Sequence, residues 1–258
     1  MSYSTRPYAT GYSSRGFANG VKWLLITNIT LFVLYFLAVV AGVGGIFRPF
    51  ELVPRQVLSG FAVWQLVTYM FLHDPTGFGH ILFNMLSLYF FGGELERDWG
   101  TRNFLRYYFV CGIGAGVCVV LANLMVGTLD VRTIGASGAI YGLLFAFGYL
   151  YPNREIQIYF LFTIKAKYLV MIFGGMAFLG SLSGSTGGVS NIAHLGGMLV
   201  GFVLLRTQLA RRRSYTRRSS WFSDLRERWK EYRMQRAKRK FQVYLRKQSE
   251  SDKDRWVH

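Results

Sequence analysis

An all-α, polytopic membrane protein, a six-transmembrane-helix bundle with cytoplasmic termini, is the fold class this sequence predicts. Three observations carry that expectation. Charged residues make up only 17% of the 258 residues and hydrophobic ones 52%, whereas an ordinary soluble domain is about 25% charged. The charges are clustered, which leaves long runs without any. The basic residues also gather on one side of those runs, in the sense of the positive-inside rule.

The spans follow in order. Trp23 to Phe47, Pro75 to Gly93, Tyr107 to Leu129 and Thr133 to Asn153 contain no charged residue, and Tyr168 to Leu205 is long enough for two helices, at about 20 residues per span. Ser181 to Ser190 is rich in Gly and Ser and reads as the turn between those two. A soluble fold would need amphipathic helices with a polar face, and these runs are apolar almost all round. The first run is longer than a signal-peptide core and ends in large residues, so it reads as a retained anchor. Cys111 and Cys118 fall on one predicted helix about 10 Å apart, too far for a disulfide, and give no metal-binding pattern.

The formal net charge of +17 is unevenly placed. Residues 1–20 read as a disordered cytoplasmic arm, residues 21–209 as the six-helix membrane domain, and residues 210–258 as a basic cytoplasmic tail. The segments Glu94 to Arg106 and Asn153 to Lys167 fall inside; the loops Gly44 to Gly79, Asp130 to Gly135 and Ser181 to Ser190 fall outside. Ile156 to Ile164 is too short to cross a bilayer and reads as an interfacial piece. In the tail, Trp221, Leu225, Trp229 and Tyr232 recur at helical spacing among basic residues, which suggests an amphipathic helix on anionic lipid rather than a nucleic-acid contact. Short loops and the absence of a transit peptide favour a bacterial inner membrane.

Polar side chains inside apolar spans are costly and mark sites. His80 and Asn84 share a face near the start of the second span, Ser137 begins the fourth, and His194 lies near the start of the sixth. All three spans enter from the outside, so the four side chains fall at one depth. Gly138, Gly142 and Ala146 form a small-residue stripe beside Ser137, and Ala193, Gly197 and Gly201 form another beside His194. Such stripes let helices approach closely in lipid. Taken singly, each feature has a plain reading as packing or interhelical hydrogen bonding. Jointly they supply a nucleophile, a base, and donors for an oxyanion. Tyr141, one turn below Ser137, is a candidate support for His194. No buried Asp or Glu accompanies the spans, so a Ser/His dyad is expected, without metal or cofactor. His73, in the outer loop above the site, reads as a loop residue with no catalytic part.

At these residues the sequence resembles the rhomboid intramembrane serine proteases, over about Lys22 to Arg206. The resemblance rests on His80 with Asn84, Gly135-Ala136-Ser137-Gly138 with Tyr141, and Ala193-His194 with Gly197 and Gly201. It implies that Ser137 is the nucleophile and His194 the base, that His80, Asn84 and the Ser137 backbone N–H form the oxyanion hole, and that Tyr141 packs beside His194. It further implies cleavage of other membrane proteins in or near their transmembrane segments, without cofactor. Many members carry a Trp-Arg pair in the first outer loop where this chain has Trp64-Gln65, a pair that serves loop structure. A catalytically inactive, rhomboid-like binding or chaperone module is the competing reading, and a transporter, which would need paired charges and related halves, is the third.

Overall fold

The computed structural model describes residues 19–158, 162–182 and 187–254. The chain divides into two units, one ending at Leu205 and one beginning at Arg206. The first opens with α1 (Asn19–Val40), a 3-10 turn at Gly44–Phe50, and two short helices of the loop between α1 and α4, α2 (Pro54–Ser59) and α3 (Gln65–Thr68). Then come α4 (Phe78–Ser87), a π-helical turn at Leu88–Gly92, α5 (Gly93–Trp99), α6 (Thr101–Val126) and α7 (Ser137–Leu150). A hairpin of β1 (Glu155–Ile158) and β2 (Phe162–Lys165) leads into α8 (Ala166–Leu182) and α9 (Gly187–Asp254). Only the part of α9 up to Leu205 belongs to the first unit.

Helix α6 is the centre of the packing. Its buried residues Tyr107, Tyr108, Cys111, Gly112, Ala115, Gly116, Val119, Val120 and Asn123 recur three and four apart, which keeps them on adjoining faces. Those faces meet α7, α5, α3, α2 and α1. Glycines with positive φ close both ends, Gly100 at +77° and Gly127 at +81°, a conformation that an L side chain resists. The outward side of α1 leaves Ile26, Ile29, Val33, Leu37 and Val40 exposed, an apolar surface suited to lipid.

The span lengths differ from those read off the hydropathy. Among the described residues, α1 and α6 are long and apolar enough to cross a bilayer, while α7, α8 and Asn191–Thr207 are apolar but shorter. The charge-free run Thr133 to Asn153 yields a helix of only 14 residues, because residues 129–135 are committed to contacts with the outer loop. The second run extends past Gly93, through the π-turn and α5, to Trp99.

The chain is mostly helical, and the hairpin is a local addition to that expectation. In the segment taken as an interfacial piece, Glu155 pairs with Lys165, Ile156 with Ile164, and Gln157 with Thr163, antiparallel. Apolar and polar residues alternate there with a period of two, the pattern of a half-buried strand. Ile156 and Ile164 pack against the cluster of Leu144, Leu169 and Met198. The predicted disordered arm falls almost wholly outside the described residues.

At the N-terminal end of α1, Glu96 is buried and ties α5 to α1. Its carboxylate accepts the backbone N–H groups of Gly20 and Val21, both at 2.8 Å, and the Thr101 hydroxyl at 2.5 Å. Two of the donors that a helix N-terminus leaves unpaired are thereby satisfied, by a group whose charge complements the helix dipole.

Candidate active site

Ser137 is the first residue of α7, and the loop that leads to it is held by the loop between α1 and α4. Leu52 and Thr133 exchange two backbone hydrogen bonds, at 3.0 and 2.9 Å, and Arg55 N–H donates to the Leu129 carbonyl at 2.9 Å. Arg55 clasps Asp130 through both carboxylate oxygens, at 2.7 and 2.8 Å, and Arg132 approaches buried Glu51 at 3.5 Å. The two charge pairs have opposite sense across the loops, which fixes their register. Gly135 N–H then donates to the Tyr69 carbonyl at 2.9 Å, and the Tyr69 hydroxyl donates to the Gly112 carbonyl at 2.7 Å.

Gly135 has φ +122°, and a Cβ built on it would lie 2.9 Å from the His80 ring and 3.8 Å from Ser137 Oγ. Glycine is required here both by the backbone angle and by the ring beside it. His80 and Ser137 thus flank the same point. Asn84, one turn along α4 from His80, is buried, and its amide nitrogen has no partner among the described residues. Ser137 stands where a helix start leaves backbone N–H groups without intrahelical acceptors. The His80 ring of α4 and the start of α7 thus meet at Gly135.

His194 reaches Ser137 from the other side. The glycine stripes face each other: a Cβ on Gly197 would collide with the Gly138 carbonyl, and one on Gly142 would stand 2.7 Å from Cys111 and 3.1 Å from the Gly197 carbonyl. With no side chain between the backbones, His194 Nε2 lies 2.9 Å from Ser137 Oγ. The Tyr141 ring lies on the His194 ring, with centroids 4.0 Å apart and planes at 1°. For the hydroxyl to donate to Nε2, the ring proton must sit on Nδ1; that atom is buried without a partner among the described residues.

The chain matches the family model described as the Rhomboid domain over residues 60–211, more than half its length. This protein belongs to the rhomboid family. Among its relatives, the rhomboid-family protein YdcA of Bacillus subtilis (strain 168) is 34% identical over 143 residues, 55% of this chain and 65% of the relative. RHOMBOID-like protein 4 of Arabidopsis thaliana is 31% identical over 160 residues, 58% of this chain and 35% of the relative. Rhomboid protease GluP of Bacillus subtilis (strain 168) is 33% identical over 140 residues, 54% of this chain and 25% of the relative. The matches span from a quarter to about two thirds of these relatives' length. As a rhomboid with apolar helices whose outer faces are exposed, the chain is an integral membrane protein.

Two features of this rhomboid lay beyond the reading of the sequence. His73 is fully buried, with its ring centroid 5.2 Å from that of His80. Burial, and then the neighbouring His80, push its ring down to about 3, so it stands neutral beneath His80 at ordinary pH. Beside it, Asp74 accepts the Thr76 hydroxyl and N–H, which hold its carboxyl below the usual range. Gln65 is the second feature. It is fully buried, accepts from Val53 N–H at 3.0 Å, and donates to the Pro49 carbonyl at 3.2 Å and to Gln56 at 2.5 Å; Trp64 Nε1 donates to the same Pro49 carbonyl at 3.0 Å. A polar residue between two apolar stretches was the available signal, but its partners lie in a loop without periodicity.

Among the described residues no group of three or more His, Cys, Asp or Glu side chains is placed to hold a metal.

Proposed function

We propose that this rhomboid is an intramembrane serine endopeptidase that hydrolyses peptide bonds in or near the transmembrane segments of other membrane proteins. The observation that carries the reading is the 2.9 Å contact between Ser137 Oγ and His194 Nε2, beneath a stacked Tyr141. A neutral His194 takes the hydroxyl proton as Oγ attacks the scissile carbonyl, then delivers it to the leaving amine. The Ser137 N–H, Asn84 and His80 donate to the developing oxyanion, each such donor contributing typically about 2.7 to 4 kcal/mol. Water then attacks the acyl-enzyme with His194 again as base. Glycines 138, 142, 197 and 201 serve to keep the two helices close enough for that transfer.

The reading includes six spans with cytoplasmic termini and the site opening to the outer side; short loops support a bacterial inner membrane. A 14-residue α7 measures roughly 21 Å at 1.5 Å per residue, against a hydrocarbon core of about 30 Å. Starting a helix that short at Ser137 favours a nucleophile below the membrane surface, in a polar cavity where irregular backbone is tolerated.

The test is covalent labelling of the purified protein by a fluorophosphonate, together with cleavage of a reconstituted single-span substrate. Both should vanish in Ser137→Ala and His194→Ala. Labelling that persists in Ser137→Ala would remove that residue as the nucleophile, and an unreactive wild type would identify the chain as a binding module.

A further inference from the structure

The unit that begins at Arg206 lies almost wholly outside the family match, which ends at residue 211. It is helical to Asp254, and every residue from Leu225 to Val243 is exposed. Eighteen basic residues against six acidic ones follow Leu205. Their arrangement on the helix is not uniform. Leu225, Trp229, Tyr232, Arg236 and Val243 recur at i, i+4, i+7, i+11 and i+18, which places them along one line. Arg226, Arg233 and Lys240 flank that line on one side, and Arg228 and Arg239 on the other. The two acids of the segment, Glu227 and Glu231, fall on the opposite face, with Lys238 between them and Lys230 toward its edge. The Arg233 guanidinium stands 5.2 Å from the centre of the Trp229 ring, covering the ring with positive charge.

We propose that residues 225–243 form a surface-lying helix that docks on anionic lipid headgroups, with Leu225, Trp229 and Tyr232 entering the interface and the flanking Arg and Lys pairing with the lipid charge. The charge pattern selects this occupant: a line of Leu225, Trp229, Tyr232 and Val243, interrupted by Arg236 and framed by cations, with both acids turned away, complements a negatively charged surface that has an apolar layer beneath it. Aromatic rings with a polar edge suit that boundary. Chain length permits the contact. The segment begins twenty residues after Leu205, a connection of roughly 30 Å if wholly helical. Met234 and Phe241 fall near the acidic face, where a second copy of the tail would be the rival occupant. The inference rests on membrane insertion of the chain and is independent of its catalytic reading.

The experiment reconstitutes the full chain in nanodiscs of phosphatidylcholine with or without phosphatidylglycerol, in a Cys118→Ala background, with a spin label on Tyr232→Cys or on Glu231→Cys. In phosphatidylglycerol discs the label at 232 should gain accessibility to oxygen and lose it to a water-soluble relaxant, while the label at 231 stays aqueous. That difference should be lost at high salt and in the triple variant Arg226→Gln, Arg233→Gln, Lys240→Gln. The proposal is overturned if positions 231 and 232 are equally aqueous with phosphatidylglycerol, or if shielding is the same in phosphatidylcholine alone. It is equally overturned if shielding requires added RNA, or if it follows dipolar coupling between labels on two copies.

Discussion

Tyr141 lies flat on His194, centroids 4.0 Å apart and planes at 1°, while the far edge of the same imidazole points Nε2 at Ser137. The tyrosine ring thus limits tilting of an imidazole whose Nδ1 has no partner among the described residues to steady it. Aromatic pairs contribute about 0.5 to 1.5 kcal/mol beyond the area they bury. Tyr141→Phe should therefore keep the fluorophosphonate labelling rate close to that of the wild type. Tyr141→Leu should slow it by roughly 2- to 10-fold, with thermal stability nearly unchanged. Equal rates in all three would separate the stack from reactivity.

The contact between Gly197 and the Gly138 carbonyl leaves no room for a methyl group. Gly197→Ala should destabilise the protein by about 1 to 3 kcal/mol, the usual cost of overpacking, and should abolish labelling by parting Ser137 from His194. Gly175, around which a Cβ would meet nothing within 4 Å, is the control. Gly175→Ala should leave labelling intact and the unfolding midpoint in detergent equal or higher.

Glu96 holds the N-terminus of α1 from inside the packed body. Hydrogen bonds to a charged group contribute about 1.5 to 3 kcal/mol net. Glu96→Ala should thus lower stability by roughly 3 kcal/mol or more, with Glu96→Gln intermediate. Hydrogen exchange at the amides of Gly20 and Val21 should rise in both variants, and protection there in Glu96→Ala would count against the cap.

His73 gives the outer loop a pH dependence whose sign can be worked out. Its ring is held down to about 3 in the folded protein, against an ordinary histidine value near 6.5. Between those values the unfolded chain binds a proton that the folded one does not. Stability is therefore full above about pH 6.5 and is lost progressively as the pH falls toward 3. Unfolding midpoints between pH 7.5 and 4.5 should fall less steeply in His73→Phe than in the wild type. Parallel slopes would sink this assignment.

The site could be read largely from the sequence because lipid makes polar side chains conspicuous. Ser137, His194, His80 and Asn84 interrupt apolar runs, and helical periodicity places them relative to Tyr141 and the glycines without any long-range information. The resemblance supplied the roles proposed for them, which periodicity could not. The outer loop escaped because its order comes from single polar contacts between distant residues, such as Gln65 with Val53, Arg55 with Asp130, and Gly135 with Tyr69. Nothing repeats there for a pattern to catch. Glu96 was hidden in a segment read as a charged inner loop, since composition does not distinguish a solvated carboxylate from one turned inward. The hairpin did show its alternation of Ile with polar residues, but over only four residues per strand, too few to outweigh a helical background.

The absent side chains at Gly138 and Gly197 also bear on how such a chain can change over generations. The Ser137–His194 distance is set by two main chains in contact, not by the rotamers of the residues around them. Lipid-facing positions on the same helix, such as exposed Leu199 and Val203, can drift among apolar residues while that distance stays fixed. The liberty of the outer surface is bought by two positions that have almost none, and an adaptive path to a different membrane would run through the former and leave the latter untouched.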